Sequence, residues 1–100
     1  MVTEVRDFSA ISKGNVIVDF YTSSCGPCRA LNPVLEEISN EYNHVTVAKV
    51  DVTKSPDITQ MFGVMSVPTV VFLKDSQVRH VSHGFSNKNS FKGLVEKFCV

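Results

Sequence analysis

Two thiols three positions apart, in the run Cys25-Gly26-Pro27-Cys28, are the side chains of this chain most able to do chemistry. They stand where a strand-like run gives way to a helix-like one. Upstream, Val16-Ile17-Val18-Asp19-Phe20-Tyr21 reads as a buried strand, and downstream Arg29 to Tyr42 reads as an amphipathic helix. A sulfur at a helix N-terminus meets unpaired backbone N–H groups and the positive end of the macrodipole, so a thiolate there is stabilised. The thiolate is the nucleophile of disulfide exchange, and a second thiol one turn away can close a disulfide and release the product. The same spacing also serves as half of a zinc site, which needs further ligands at compatible spacing. Only Cys99, His44, His80 and His83 remain, and none forms such a pair. No metal is expected. A structural disulfide is no better a reading if the compartment is reducing.

The elements around these thiols follow from pattern and punctuation. Val2 to Val5 suits a short first strand, and Arg6 to Ser12 a weak first helix. Lys13-Gly14-Asn15 is turn chemistry before the apolar run that a central strand buried on both faces shows. In the helix after the cysteines, Leu31, Val34, Leu35, Ile38 and Tyr42 make one apolar stripe, with Pro33 inside it as a source of a kink. Val45 to Asp51 reads as a third strand. Ser55 and Pro56 open a short helix as cap and first residue, and Gly63 ends it. Thr69 to Leu73 is a fourth strand, Lys74-Asp75-Ser76 a turn, and Gln77 to Ser82 an edge strand. A last helix from about Asn87 lines up Phe91, Leu94, Val95 and Phe98. The order β-α-β-α-β-α-β-β-α predicts an α/β fold, a mixed sheet of about five strands flanked by about four helices.

With 100 residues, one domain is expected over 1–100. Ten basic and ten acidic residues cancel without a basic block, which argues against nucleic acid as a partner. No run approaches the ~20 apolar residues of a membrane span. The opening Met1-Val2-Thr3-Glu4-Val5-Arg6-Asp7 has neither a basic n-region nor an apolar h-region. A soluble cytoplasmic monomer is therefore expected.

The residues resemble one family over most of the chain. Val16 to Tyr21, Cys25-Gly26-Pro27-Cys28-Arg29, Pro33, Val47-Ala48-Lys49-Val50-Asp51, Gly63-Val64, Val67-Pro68-Thr69 and Gly84 match the thioredoxin pattern in order and approximate spacing, least well before Asn15. The resemblance implies a thioredoxin fold and a thiol–disulfide oxidoreductase cycling a Cys25–Cys28 dithiol and disulfide. Cys25 would be the exposed attacking thiol and Cys28 the buried resolving one. Gly26 and Pro27 between them resemble the reductant version of the motif, without the His of oxidase and isomerase relatives. The family's activity implies disulfide-containing client proteins and re-reduction by a thioredoxin reductase using NADPH, with no cofactor bound by this domain. A redox-regulated interaction module without turnover, and an oxidase or isomerase, stay open as alternatives.

Further positions carry both a chemical and an ordinary reading. Asp19, a carboxylate inside an apolar strand, could reach solvent at the strand end. The chemical reading is a desolvated acid of raised pKa that exchanges a proton with Cys28. Lys49 shares a strand face with Val45 and Val47; it either snorkels to the surface or, as the resemblance implies, lies beside Asp19. Pro68 is acceptable as a strand-edge proline. The resemblance makes it a cis residue facing the cysteines, with the backbone of Val67 offered to an extended substrate. Gly63 and Gly84 are a helix end and a turn, or places where substrate backbone comes close. Ser24 stands where the pattern has Trp, and Tyr21 where Trp is common; the chain has no Trp. Substrate and reductase recognition around Ser24 should differ accordingly. Cys99 reads as a packed hydrophobe near Val95, and the three His as surface or hydrogen-bonded residues.

Overall fold

A computed structural model describes residues 1–100. Five strands form one sheet: β1 (Val2–Glu4), β2 (Asn15–Tyr21), β3 (Val45–Asp51), β4 (Thr69–Lys74) and β5 (Gln77–His83). Three α-helices accompany them: α1 (Gly26–Glu41), α2 (Pro56–Met61) and α3 (Lys88–Phe98). The strand order is β1-β3-β2-β4-β5, with β3 parallel to β1 and β2, and β4 antiparallel to both β2 and β5. This is a mixed sheet. β2 is central and buried from Val16 to Phe20, as its unbroken apolar run requires.

Alternation along the strands feeds two cores, one on each face of the sheet. Ile17, Val45, Val47, Val70 and Phe72 meet the α1 stripe of Leu31, Val34, Leu35 and Ile38, together with Phe91 and Val95 of α3. Val16, Val18, Phe20, Ala48, Val50, Val71 and Leu73 face the other way, onto Ile11 and Ile58.

The helix count is three where about four were expected. Arg6 to Ser12 does not make an α-helix; Phe8–Ile11 forms a single 3₁₀ turn, with Asp7 accepting a hydrogen bond from the Ser9 N–H at 3.1 Å. One turn cannot repay helix nucleation, and short pieces take the tighter form. α2 starts at Pro56 as expected, but the Ser55 hydroxyl makes no capping bond. α1 runs on through Pro33. Asp75 and Ser76 both have positive φ, 48° and 74°, in the tight turn between β4 and β5.

Both chain ends are tied down. The Met1 ammonium donates to Ser39 Oγ, whose hydroxyl donates to the Met1 carbonyl at 2.8 Å. Lys74 Nζ donates to the Val100 carbonyl, and His44 Nε2 lies 2.8 Å from the Cys99 carbonyl.

Candidate active site

The sheet gathers the chemical residues at one end. β2 delivers the chain at Tyr21 to the loop that leads to Cys25. β4 is antiparallel to β2 and starts at this same end, where Thr69 lies opposite Phe20 and His83. Pro68 and Gly84 extend that pairing, the Gly84 N–H donating to the Pro68 carbonyl at 2.9 Å.

Cys25 is itself the cap of α1. Its backbone is extended, and its Sγ accepts from the Cys28 N–H at 3.1 Å. A negative sulfur is favoured there, by an orphan donor of the first turn and by the helix dipole. The loop before it is held by the Arg29 guanidinium, which donates to the Ser23 carbonyl at 3.3 Å, and by the Cys25 N–H, which donates to the Thr22 carbonyl at 3.4 Å. Cys25 and Cys28 are joined as a disulfide, with Cα atoms 5.2 Å apart. Their exposures differ: Cys25 is half-buried, whereas Cys28 is 2% exposed. Ser24, Gly26 and Pro27 around them are exposed.

Asp19 is completely buried, and neither carboxylate oxygen has a hydrogen-bond partner. It sits two residues from Ile17, so it points to the α1 side of the sheet, as Cys28 does on the helix three residues before Leu31. Burial raises its pKa to about 7, against a smaller lowering by the Lys49 charge. Lys49 is the register partner of Asp19 on β3, but no ion pair joins them. Its ammonium donates to Asn32 Oδ1 at 2.8 Å and stands 4.3 Å from the centre of the Tyr21 ring. The Tyr21 hydroxyl donates to Glu4 Oε2, and burial first, then that bond, raises the phenol pKa.

The Val67–Pro68 peptide is cis. Val67 lies outside the strands, and neither its N–H nor its C=O takes part in a backbone hydrogen bond. A groove of about 290 Å³ adjoins it, lined by Thr22, Val52, Thr59, Val64, Met65 and Val67 among others. Thr69 Oγ1 lies 2.7 Å from the Ser66 carbonyl and 3.2 Å from His83 Nδ1. A hydroxyl has one proton and a carbonyl can only accept, so the Thr69 proton goes to Ser66 and His83 donates from Nδ1.

Asn32, the Thr69–His83 pair and the groove had no signal in the sequence. Cys99 is buried in the α3-side core, where burial pushes its thiol up to about 11. No three His, Cys, Asp or Glu side chains are arranged to hold a metal ion.

The thioredoxin family model matches residues 2–97. The chain belongs to the thioredoxin family. It is 41% identical over 97 residues to a thioredoxin of Chlamydia muridarum, covering 97% of this chain and 95% of that one. A thioredoxin of Bacillus subtilis is 40% identical over 94 residues, with 92% and 90% covered. Among solved structures, a mutant thioredoxin of Halobacterium salinarum superposes with a TM-score of 0.92 at 28% identity, covering 99% of this chain and 91% of that one. Sheet, helices and cysteine pair are those of a thioredoxin fold, and the chain is a thiol–disulfide oxidoreductase. No helix is long and apolar enough to cross a membrane.

Proposed function

We propose that the chain is a protein disulfide reductase in which Cys25 attacks and Cys28 resolves. The observation that carries this reading is the unequal placement of two sulfurs on one helix start. Cys25 is accessible at the cap, and Cys28 is 2% exposed beneath it. In the reduced protein the Cys25 thiolate attacks one sulfur of a client disulfide. A Cys25–client S–S bond forms, and the other client sulfur leaves as a thiolate and takes up a proton. Asp19 in its ionised form accepts the Cys28 proton. The Cys28 thiolate then attacks Cys25 Sγ, closes the Cys25–Cys28 bond and expels the second client thiolate. Two electrons have passed from the dithiol to the client.

A carboxyl with a pKa of about 7 suits this transfer, because it is both partly ionised and appreciably basic near neutral pH. Lys49 acts on it through its charge. The unpaired N–H and C=O of Val67 support recognition of an extended client segment as an added strand, flanked by Pro68 and Gly84. Ser24, Gly26 and Pro27 form the rim that a client meets. With a serine in place of a large ring at position 24, the groove beside Val67 supplies the apolar contact. The oxidised pair is returned to the dithiol by a thioredoxin reductase drawing on NADPH. The protein does this as a single-domain monomer in the cytoplasm.

The test is covalent trapping. Cys28→Ser should accumulate a mixed disulfide with an oxidised client protein, visible by mass spectrometry, whereas Cys25→Ser should neither trap nor turn over. Equal trapping by both variants would overturn the assignment.

A further inference from the structure

We propose that Asn32 is a positioning residue of the exchange reaction, its carboxamide holding the Lys49 ammonium away from the Asp19 carboxyl. The inference rests on the reading of Asp19 as the group that exchanges a proton with Cys28. Four observations support it. Asp19 and Lys49 are register partners on adjacent strands, so a lysine turned inward would lie against the carboxyl. Asp19 nevertheless has no hydrogen-bond partner at either oxygen. Asn32 Oδ1 instead accepts from the Lys49 ammonium at 2.8 Å, and the Tyr21 ring beneath the ammonium, at 4.3 Å, holds it from a second side. Asn32 lies one helical turn beyond Cys28 on α1, so the anchor belongs to the helix that carries the resolving thiol.

Few other groups could take over the role of Lys49. Tyr21 is two residues along the strand of Asp19, with its hydroxyl bonded to Glu4 of β1. Asp51 is two residues beyond Lys49 on β3 and is engaged by the Thr53 N–H and hydroxyl. β4 presents Val70 opposite Asp19. α1 presents Cys28, and the buried Cys99 thiol follows α3 at the far end of that core. Lys49 is the one cation among them. Glu4, the register partner of Lys49 on β1, and Glu36, which lines the same pocket as Asn32 and Lys49, already hold the Tyr21 hydroxyl and the Met1 ammonium. Released from Asn32, the cation turns to Asp19, the neighbouring carboxylate without a partner. That would make Asp19 a weaker base toward the Cys28 thiol.

Asn32 is exposed on a helix, where alanine is well tolerated, so the variants should fold. The Asp19 carboxyl midpoint is read by ¹³C NMR in the reduced protein. Asn32→Ala should lower it from about 7 to about 6, the effect of an opposite charge brought close. Asn32→Asp, which keeps an acceptor for Lys49, should leave it at or above the parent value. In a Lys49→Met background, Asn32→Ala should have no effect. The acid limb of the pH profile for resolving a preformed Cys25 mixed disulfide should move with the midpoint. An unmoved midpoint in Asn32→Ala, or the same shift in the Lys49→Met background, would overturn the role of Asn32. A moved midpoint with an unmoved pH profile would uphold Asn32 as the anchor of Lys49 and overturn Asp19 as the acid.

Discussion

Asp19 is buried without a partner in a strand that would pack better without it, so its presence costs stability at neutral pH. The pKa is about 7 in the fold against an ordinary 3.8. The native state therefore holds its proton while the unfolded chain loses it. Stability falls as pH rises from about 4 to about 7, because the unfolded state binds fewer protons than the native one in that window. Below it both states are protonated, and above it both are ionised. Three pKa units correspond to about 4 kcal/mol. The stability of Asp19→Asn relative to the parent should therefore increase by roughly that amount between about pH 4 and pH 8, by urea unfolding at each pH. A difference that did not change with pH would mean that Asp19 is ordinarily acidic in the fold. Cys25, Cys28 and Asp19 were legible in the sequence because each breaks a local pattern: two thiols at a helix start and a charge in an apolar run. Asn32 breaks none. An exposed polar residue at the edge of a helix's buried stripe is what solvent asks for, and its bond to Lys49 spans 17 positions.

Among the elements, strands were read almost to the residue, and the long helices nearly so, because periodicity over several turns is a strong signal. Arg6 to Ser12 is the exception, since an α-helix and a 3₁₀ turn of four residues share the same composition cues. α1 starts at Gly26, three residues before the Arg29 that the amphipathic pattern marks, because Gly26 and Pro27 carry no apolar periodicity and it is the cap at Cys25 that sets the first turn. α3 had its start signalled by Asn87, which caps it by accepting from the Ser90 N–H at 2.9 Å. Asn87→Ala removes that acceptor and should lower stability by about 1 kcal/mol. The readout is the urea midpoint at constant slope; an unchanged midpoint would mean that Phe91 and Val95 alone fix the start of the helix. The groove beside Val67 was invisible for a different reason. It is assembled from the segments after β2, after β3 and before β4, and no local pattern encodes their approach.

For the whole molecule, the tethering of Met1 to Ser39, and of the last two carbonyls to His44 and Lys74, has a topological consequence. β1 runs parallel to β3 and β2, so the residue that precedes it lies at the sheet end where those strands begin. Lys74 pairs with Asn15, the first residue of β2, which places Val100 at that end too. Cys25 follows the opposite end, a seven-residue strand away, or about 20 Å. Either terminus is therefore a handle remote from the exchange chemistry. A folded domain joined through a short Gly/Ser linker at Met1 or at Val100 should leave kcat/KM for a protein disulfide within about a factor of two, well under 1 kcal/mol of barrier. The same cargo inserted at Gly84, whose N–H holds the rim to Pro68, should abolish it. A fusion at Val100 as damaging as the insertion would show that client proteins reach across the whole length of the sheet. Otherwise the molecule is a cartridge, open for business at one end and free to be mounted by the other.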